Sequence, residues 1–314
     1  MNRSIVLVLF LACLLPCHSV AETKKENFAG ATAEVYKQAS GDDLYLYVFN
    51  PEGHDPSEDR RPAIVFFFGG GWNGGSPSQF VQHSQYLASR GMIAVVADYR
   101  VRSRQQATPL DCVADGKSAV RYLRENAERL GIDPDRLGAG GGSAGGHVAA
   151  AAGMLDKLDD PAEADSPFSS KPDLLALFNP VYDNGPVDGW GHSRVLEYWQ
   201  DISPAHNVSK DDPPAIVFLG DGDDLIPVVV AERFRDKMKA AGLDSELHVY
   251  EGQGHGFFNE AKGGTENFLD TLEKMDAFLV KHGWLTGEGT EAQRKVVSKP
   301  RPARAPKVPG KKTE

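Results

Sequence analysis

Cysteine is almost missing from this chain. Its 314 residues hold three, and two of those, Cys13 and Cys17, fall within the first seventeen positions. Positive charge is short as well: 34 Lys and Arg stand against 44 Asp and Glu, a formal net charge of -10. Nucleic-acid affinity rests on clustered basic residues that neutralise phosphates, so that partner class is not expected. Outside residues 5–15 no apolar run approaches the roughly 20 residues of a membrane helix. No G-K-[ST] follows either glycine run, which excludes a Walker phosphate loop. No H-E-x-x-H or paired Cys/His spacing supports a metal site, and a metal-dependent deacetylase loses its basis with it. No internal repeat at solenoid periods is present.

The two ends are unlike the middle. Arg3, the apolar run 5–15 and small residues before a cut after Ala21 form the pattern of a secretory signal peptide. Secreted or periplasmic placement is therefore expected. Removal of residues 1–21 leaves Cys112 alone, so no internal disulfide can form, and its helical pattern "LDCVADGKSAVRYL" makes it a small core residue. Residues 22–28 read as a linker and 286–314 as a basic, proline-rich tail, "KPRPARAPKVPG" at its centre. Such a tail lacks the apolar residues to fold, and it is expected to be disordered, with no partner identified.

Residues 29–285 are sized for one large α/β domain. "ATAEVYKQ" and "DLYLYVFN" alternate apolar and polar residues as an opening hairpin. "PAIVFFFGGG" is continuously apolar, as a strand buried on both faces is. Strands at "MIAVVADYR", "DRLGAGG", "DLLALFNPVYD", "PPAIVFLGDGDD" and "SELHVYEG" then alternate with helical patterns, among them one that opens at Pro77. This rhythm predicts a mostly parallel sheet with helices on both faces. Residues 156–203 interrupt it with Pro, Gly and Asp and with "GWGHSRVLEYWQ", and are expected to form a lid insertion.

Function in such sheets collects on loops at the carboxyl ends of the strands. Gly141-Gly142-Ser143-Ala144-Gly145 fits G-x-S-x-G between a strand and a helix, where glycines leave room for a sharply turned nucleophile. The rival dinucleotide pattern, Gly69, Gly71 and Gly74 with Asp98 ending the next strand, delays its helix too far past the third glycine. Serine needs a base and the base an orienting carboxylate. His255 in "GQGHGFF" sits on a glycine-flanked loop after a strand, whereas His147, His248 and His282 read as structural and His83 as a helix-surface residue within possible reach of the site. Asp223 in "GDGDDLIP", beside Asp221 and Asp224, is the first choice of carboxylate, and Asp183 in "FNPVYD" the alternative. Backbone N–H groups of Ala144 and of "GGGW", residues 69–72, are candidates to receive an oxyanion.

With Ser, Asp and His in this order, the chain resembles the α/β-hydrolase superfamily. Within it, the chain is similar to secreted esterases of the hormone-sensitive-lipase-like, feruloyl and acetyl esterase branch. The stretches that carry the likeness are "FFFGGGWNGG", "VVADYRV", "GIDPDRLGAGGGSAGGHVA", "GDGDDLIPV" and "GQGHGFF". The resemblance implies Ser143 as nucleophile, His255 as general acid–base, Asp223 as its orienter, and Gly70, Gly71 and Ala144 as the oxyanion hole. It implies no cofactor and no metal. Phe68 stands where the family's H-G-G-G motif has its histidine. Trp72, Asn73, Trp190 and His192, with other aromatics of the insertion, are the candidate substrate contacts. Aromatic faces beside polar groups suit sugar rings, which points to short-acyl or hydroxycinnamoyl esters of carbohydrate. The competing expectation is a catalytically silent hydrolase fold that serves as a secreted binding module.

Overall fold

The chain is described by a computed structural model over residues 25–297. The expected signal peptide and the end of the tail lie outside the described residues. In chain order the strands are β1 (Ala31–Ala39), β2 (Asp42–Phe49), β3 (Arg61–Phe67), β4 (Ile93–Ala97), β5 (Ile132–Gly142), β6 (Leu175–Phe178), β7 (Ala215–Gly220) and β8 (Ser245–Tyr250). The helices are α1 (Val81–Ser89), α2 (Arg102–Gln105), α3 (Pro109–Glu125), α4 (Ala127–Leu130), α5 (Ala144–Met154), α6 (Trp199–Ile202), α7 (Val228–Ala240), α8 (Glu260–Lys281) and α9 (Glu291–Val297).

The apolar runs dictate the layering. In β3, Val65 and Phe67 join one buried cluster with α3, α5 and α7, while Ile64 and Phe66 join another with α1 and α8. β4, β6 and β7 divide their residues between the same two clusters. A strand that is apolar on both sides must be covered on both, and each large side chain so buried contributes about 1.5–3 kcal/mol. The eight strands form one sheet in the order β1-β2-β4-β3-β5-β6-β7-β8. β1 and β2 pair antiparallel, as do β2 and β4, and every other pair is parallel. The result is the α/β-hydrolase architecture that the resemblance implies.

Two segments differ from expectation. The insertion 156–203 is not one piece, because β6 lies within it and pairs with β5 and β7 in the middle of the sheet. Residues before β6 therefore sit at the amino pole of the parallel strands, and those after it at the carboxyl pole. Only residues 179–203 can border a site at the carboxyl ends. The earlier part is tied to α3 instead: Arg121 pairs with Asp159 and Glu163 and donates to the carbonyl of Phe168. A strand of four residues among prolines and glycines is too short to separate the two loops by pattern alone.

The tail also starts ordered. Thr290 is joined to Gln293 at the start of α9, Gln293 Nε2 donates to Ser89 O at 2.7 Å, and Arg294 pairs with Glu273 at 2.9 Å. These contacts hold α9 against α1 and α8. The expectation of disorder is not met for the described start of the tail, where the polar side chains of Gln293 and Arg294 make attachments that composition does not announce.

Candidate active site

β5 ends at Gly142 and α5 begins at Ala144, so the turn from strand to helix falls on Ser143. Its backbone has φ 55° and ψ -119°, a strained setting that costs a non-glycine residue on the order of 1–3 kcal/mol. Neighbours hold it there. Ser143 N donates to Phe178 O at 2.9 Å, and Ser143 O accepts from His147 N at 3.0 Å and Val181 N at 3.2 Å. The bend leaves no space for side chains around it. A Cβ on Gly141 would lie 2.5 Å from Gly145 O, and one on Gly145 would lie 2.1 Å from Phe67 O.

The loops after β7 and β8 converge on this serine. His255 Nε2 is 2.9 Å from Ser143 Oγ, and His255 Nδ1 is 2.8 Å from Asp223 Oδ2. The Asp223 side chain is fully buried, and its second oxygen accepts from Leu225 N at 2.8 Å and Ile226 N at 3.1 Å. An ionised carboxylate only accepts, so the imidazole proton belongs on Nδ1 and Nε2 is free to accept from the serine hydroxyl. The loops are stitched together beneath the relay: Asp221 accepts from Gly252 N at 2.6 Å, and Gly222 N donates to Gln253 O at 3.0 Å.

The alternative carboxylate lies elsewhere. Asp183 accepts from Gly185 N and is 3.6 Å from His206 Nδ1, which also contacts Ser203 Oγ at 2.9 Å. Among the other histidines, His147 donates from Nε2 to Ile202 O, and burial lowers it to about 4. His83 is enclosed by Phe66, Phe80, Phe178, Phe258 and Phe268, and burial lowers it to about 3.

The glycine run after β3 passes directly over the serine. A Cβ on Gly69 would lie 3.1 Å from Ser143 Cβ. Gly69 N donates to Gln79 Oε1 at 2.6 Å, while among the described residues the N–H groups of Gly70 and Gly71 have no acceptor. Ala144 N, in the first turn of α5, adjoins the nucleophile. Where the family has histidine, Phe68 stacks on Tyr99 with ring centroids 4.2 Å apart, and Tyr99 Oη donates to Phe68 O at 2.6 Å. The tyrosine braces the loop from behind.

The expected substrate contacts divide. Asn73 is exposed beside this loop. Trp72 is 2% exposed, wedged between His147 and Trp190, and what it still exposes borders the cleft beside Asn73. Trp190 lies over Gly71 and carries the Arg194 guanidinium 4.8 Å above its ring, and Arg194 donates to Gly71 O at 2.9 Å. His192, half-buried, donates from Nδ1 to Asn184 O, and its ring meets Trp199 edge-on, which fixes the ring within the loop.

Sequence reasoning missed Asn179. This fully buried residue follows β6 with φ 34°, and its Oδ1 accepts from Gly256 N at 3.0 Å, next to His255. Its place in "FNP", at the carboxyl end of a buried strand, was the available signal. Among the described residues no cluster of three or more His, Cys, Asp or Glu could hold a metal ion, and no helix is long and apolar enough to cross a membrane.

Residues 48–188 match the BD-FAE family and residues 193–282 the dienelactone hydrolase family. The chain is 28% identical over 256 residues to an isoprenylcysteine alpha-carbonyl methylesterase of Arabidopsis thaliana, covering 73% of this chain and 57% of that one. It is 27% identical over 215 residues to an acetylxylan esterase of Xylanibacter ruminicola, covering 64% of this chain and 42% of that one. The chain thus spans about half the length of these two curated relatives. The structure of Thermogutta terrifontis esterase 2 is similar nearly end to end: 43% identity, TM-score 0.80, 84% of this chain and 98% of that one. That esterase has been seen phosphoramylated by tabun, and with propionate or butyrate bound.

Proposed function

The chain belongs to the serine esterases of the α/β-hydrolase fold, and from that premise we propose that it hydrolyses short-acyl or hydroxycinnamoyl esters of carbohydrate through an acyl-enzyme. The relay of Asp223, His255 and Ser143, at 2.8 and 2.9 Å, is the observation that carries this reading. His255 Nε2 takes the proton as Ser143 Oγ attacks the ester carbonyl, and Asp223 stabilises the imidazolium so formed. The N–H groups of Gly70, Gly71 and Ala144 receive the developing oxyanion, whose stabilisation is worth about 3 kcal/mol per donor in such sites. His255 then returns the proton to the departing alcohol. Water repeats the sequence on the acyl-serine, releasing acid and free enzyme.

Short acyl groups are supported by the propionate and butyrate complexes of the Thermogutta relative. Carbohydrate is supported by the acetylxylan esterase relative and by the aromatic and polar residues after β6. The signal-peptide pattern at residues 1–21 would deliver the enzyme to such substrates outside the cytoplasm.

Labelling with a fluorophosphonate, followed by peptide mapping, tests the mechanism. One adduct on Ser143, with parallel loss of p-nitrophenyl acetate hydrolysis, is expected. An unlabelled protein would favour the silent binding module. For the substrate, kcat/KM is compared across p-nitrophenyl acetate, butyrate and palmitate and across acetylated and feruloylated xylo-oligosaccharides. Preference for palmitate, or no turnover of any sugar ester, would overturn the carbohydrate reading while leaving the relay intact.

A further inference from the structure

The arginines of this acidic chain are almost all neutralised. Among the described residues, every arginine except Arg60, Arg102 and Arg194 lies within 4.0 Å of a carboxylate. Two of these three exceptions line one cleft. It encloses about 440 Å³ and is bounded by Gly71, Asn73, Arg102, Gln106, Arg194 and Tyr198, with no aspartate or glutamate in its wall. Of the acids nearest along the chain, Asp111 is occupied by Thr108 and by Arg100 at 3.2 Å, and Glu197, next to Tyr198, is exposed, lies outside the wall and is more than 4.0 Å from either arginine.

The cleft is built onto the catalytic apparatus. Gly71 belongs to the loop over Ser143, and its carbonyl is held by Arg194 at 2.9 Å. From the other side, the first turn of α2 grips the same loop: Arg102 N donates to Trp72 O at 3.0 Å and Ser103 N to Asn73 O at 2.9 Å. Arg194 is oriented by its stacking on Trp190, which leaves the rest of its guanidinium edge without a partner. Two cations with no carboxylate within 4.0 Å, flanked by the amides of Asn73 and Gln106, form a recognition surface for an oxyanion.

We propose that this cleft is an anion subsite that selects esters carrying a carboxylate or phosphate on the part of the substrate extending past the glycine loop. The proposal rests on the esterase reading and narrows its substrate class to acidic esters, such as acylated uronic acids. Arg102 supplies the free charge, and Arg194 combines charge with support of the loop.

The test uses two esters of one shape, 3-acetoxybenzoate and its methyl ester, with 3-acetoxyphenyl phosphate as a third arm, against the whole protein and Arg102→Gln. Arg102 contacts neither the serine relay nor the ester carbonyl through its side chain, so methyl-ester turnover should be unchanged in the variant. The ratio of kcat/KM for the acid to that for the methyl ester should fall about tenfold in Arg102→Gln, the scale of one charge-assisted hydrogen bond. In the whole protein it should fall likewise in 0.5 M NaCl, since exposed charges are screened. Comparing the two ratios cancels the intrinsic reactivity of the esters. The larger drop between carboxylate and phosphate arms identifies which anion the cleft takes. An equal ratio in both proteins, with the methyl ester turned over, would overturn the subsite alone. If no ester is turned over, the esterase reading falls. Calorimetric binding of 3-hydroxybenzoate against its methyl ester then decides the subsite by the same comparison.

Discussion

The amide nitrogen of Asn179 lies 3.4 Å from His255 Nε2, the same nitrogen that faces Ser143 Oγ. Because Asn179 Oδ1 accepts from Gly256 N, the amide cannot be turned round, and it is a donor that points at the base. It favours the imidazole whose lone pair is on Nε2, the form that can take the serine proton. Asn179→Asp keeps the acceptor for Gly256 N but sets an oxygen against Nε2, which favours the protonated ring. Loss of kcat/KM should be much greater at pH 6 than at pH 8, with little change in melting temperature. Asn179→Ala should lower kcat about tenfold and also destabilise by about 1–3 kcal/mol, since Gly256 N–H is left buried without an acceptor. Equal losses at both pH values in Asn179→Asp would reduce the contact to a structural one.

Asp223 and Asp183 are told apart by what they hold. Asp223→Asn leaves the geometry but removes the acceptor that fixes the His255 proton on Nδ1, and kcat for p-nitrophenyl acetate should drop about a thousandfold or more. Asp183 serves His206 and Gly185, and its replacement by Asn should change kcat less than about threefold. Steady-state kinetics on both variants check the pair.

Ser143→Ala removes the attacking atom and relieves the strained turn of its hydroxyl. Turnover should fall at least about a thousandfold while the protein stays folded by circular dichroism. Near-normal turnover in this variant would dismiss Ser143 as nucleophile.

His83 ties stability to pH. Both of its ring nitrogens are buried without partners, and burial lowers it from 6.5 to about 3. Between those values the unfolded chain binds a proton that the folded chain refuses. Stability due to this residue is therefore full above pH 6.5 and is lost as pH falls toward 3. His147, lowered to about 4, acts in the same direction. At pH 4.5 the stability lost through His83 relative to neutral pH is on the order of 2–3 kcal/mol. His83→Leu should raise the melting temperature more at pH 4.5 than at pH 8 in scanning calorimetry. An identical shift at both would show that the ring is not neutral in the fold.

Ending the chain at residue 285 removes α9 and its attachments to Ser89 and Glu273. A loss of about 1 kcal/mol is expected, seen as a fall in melting temperature of about 2–4 °C. No change by differential scanning fluorimetry would return the whole tail to the solvent.

What could be read from sequence was what depends on local pattern. The run "AIVFFF" announced a doubly covered strand, and the glycines around Ser143 announced its turn. Loop order made Asp223 the first choice of partner for His255, with Asp183 left open, and the family resemblance singled out Asp223. Asn179 and Arg102 were passed over as contributors, and Arg194 counted only as one polar group of the insertion, because their meaning comes from atoms far off in sequence. Asn179 meets Gly256, and the two arginines matter through the carboxylates they do not meet. The split of 156–203 was hidden for a different reason: the four residues of β6 have their register set by the neighbouring strands. α9 shows the reverse error, since composition alone gave no sign that Gln293 and Arg294 would find partners on the domain.

β6 divides the molecule into a working pole and an idle one. Residues 156–174 hang at the amino ends of the strands, a sheet's length from Ser143, fastened to α3 by Arg121. That pole is a natural handle. A tag, a fused sugar-binding module or a tether to a solid support placed there would leave the mouth of the site facing outward. Insertions in this loop can therefore be selected for reach or orientation independently of the chemistry, whereas the loop after β6 cannot be lengthened without moving the support of the serine.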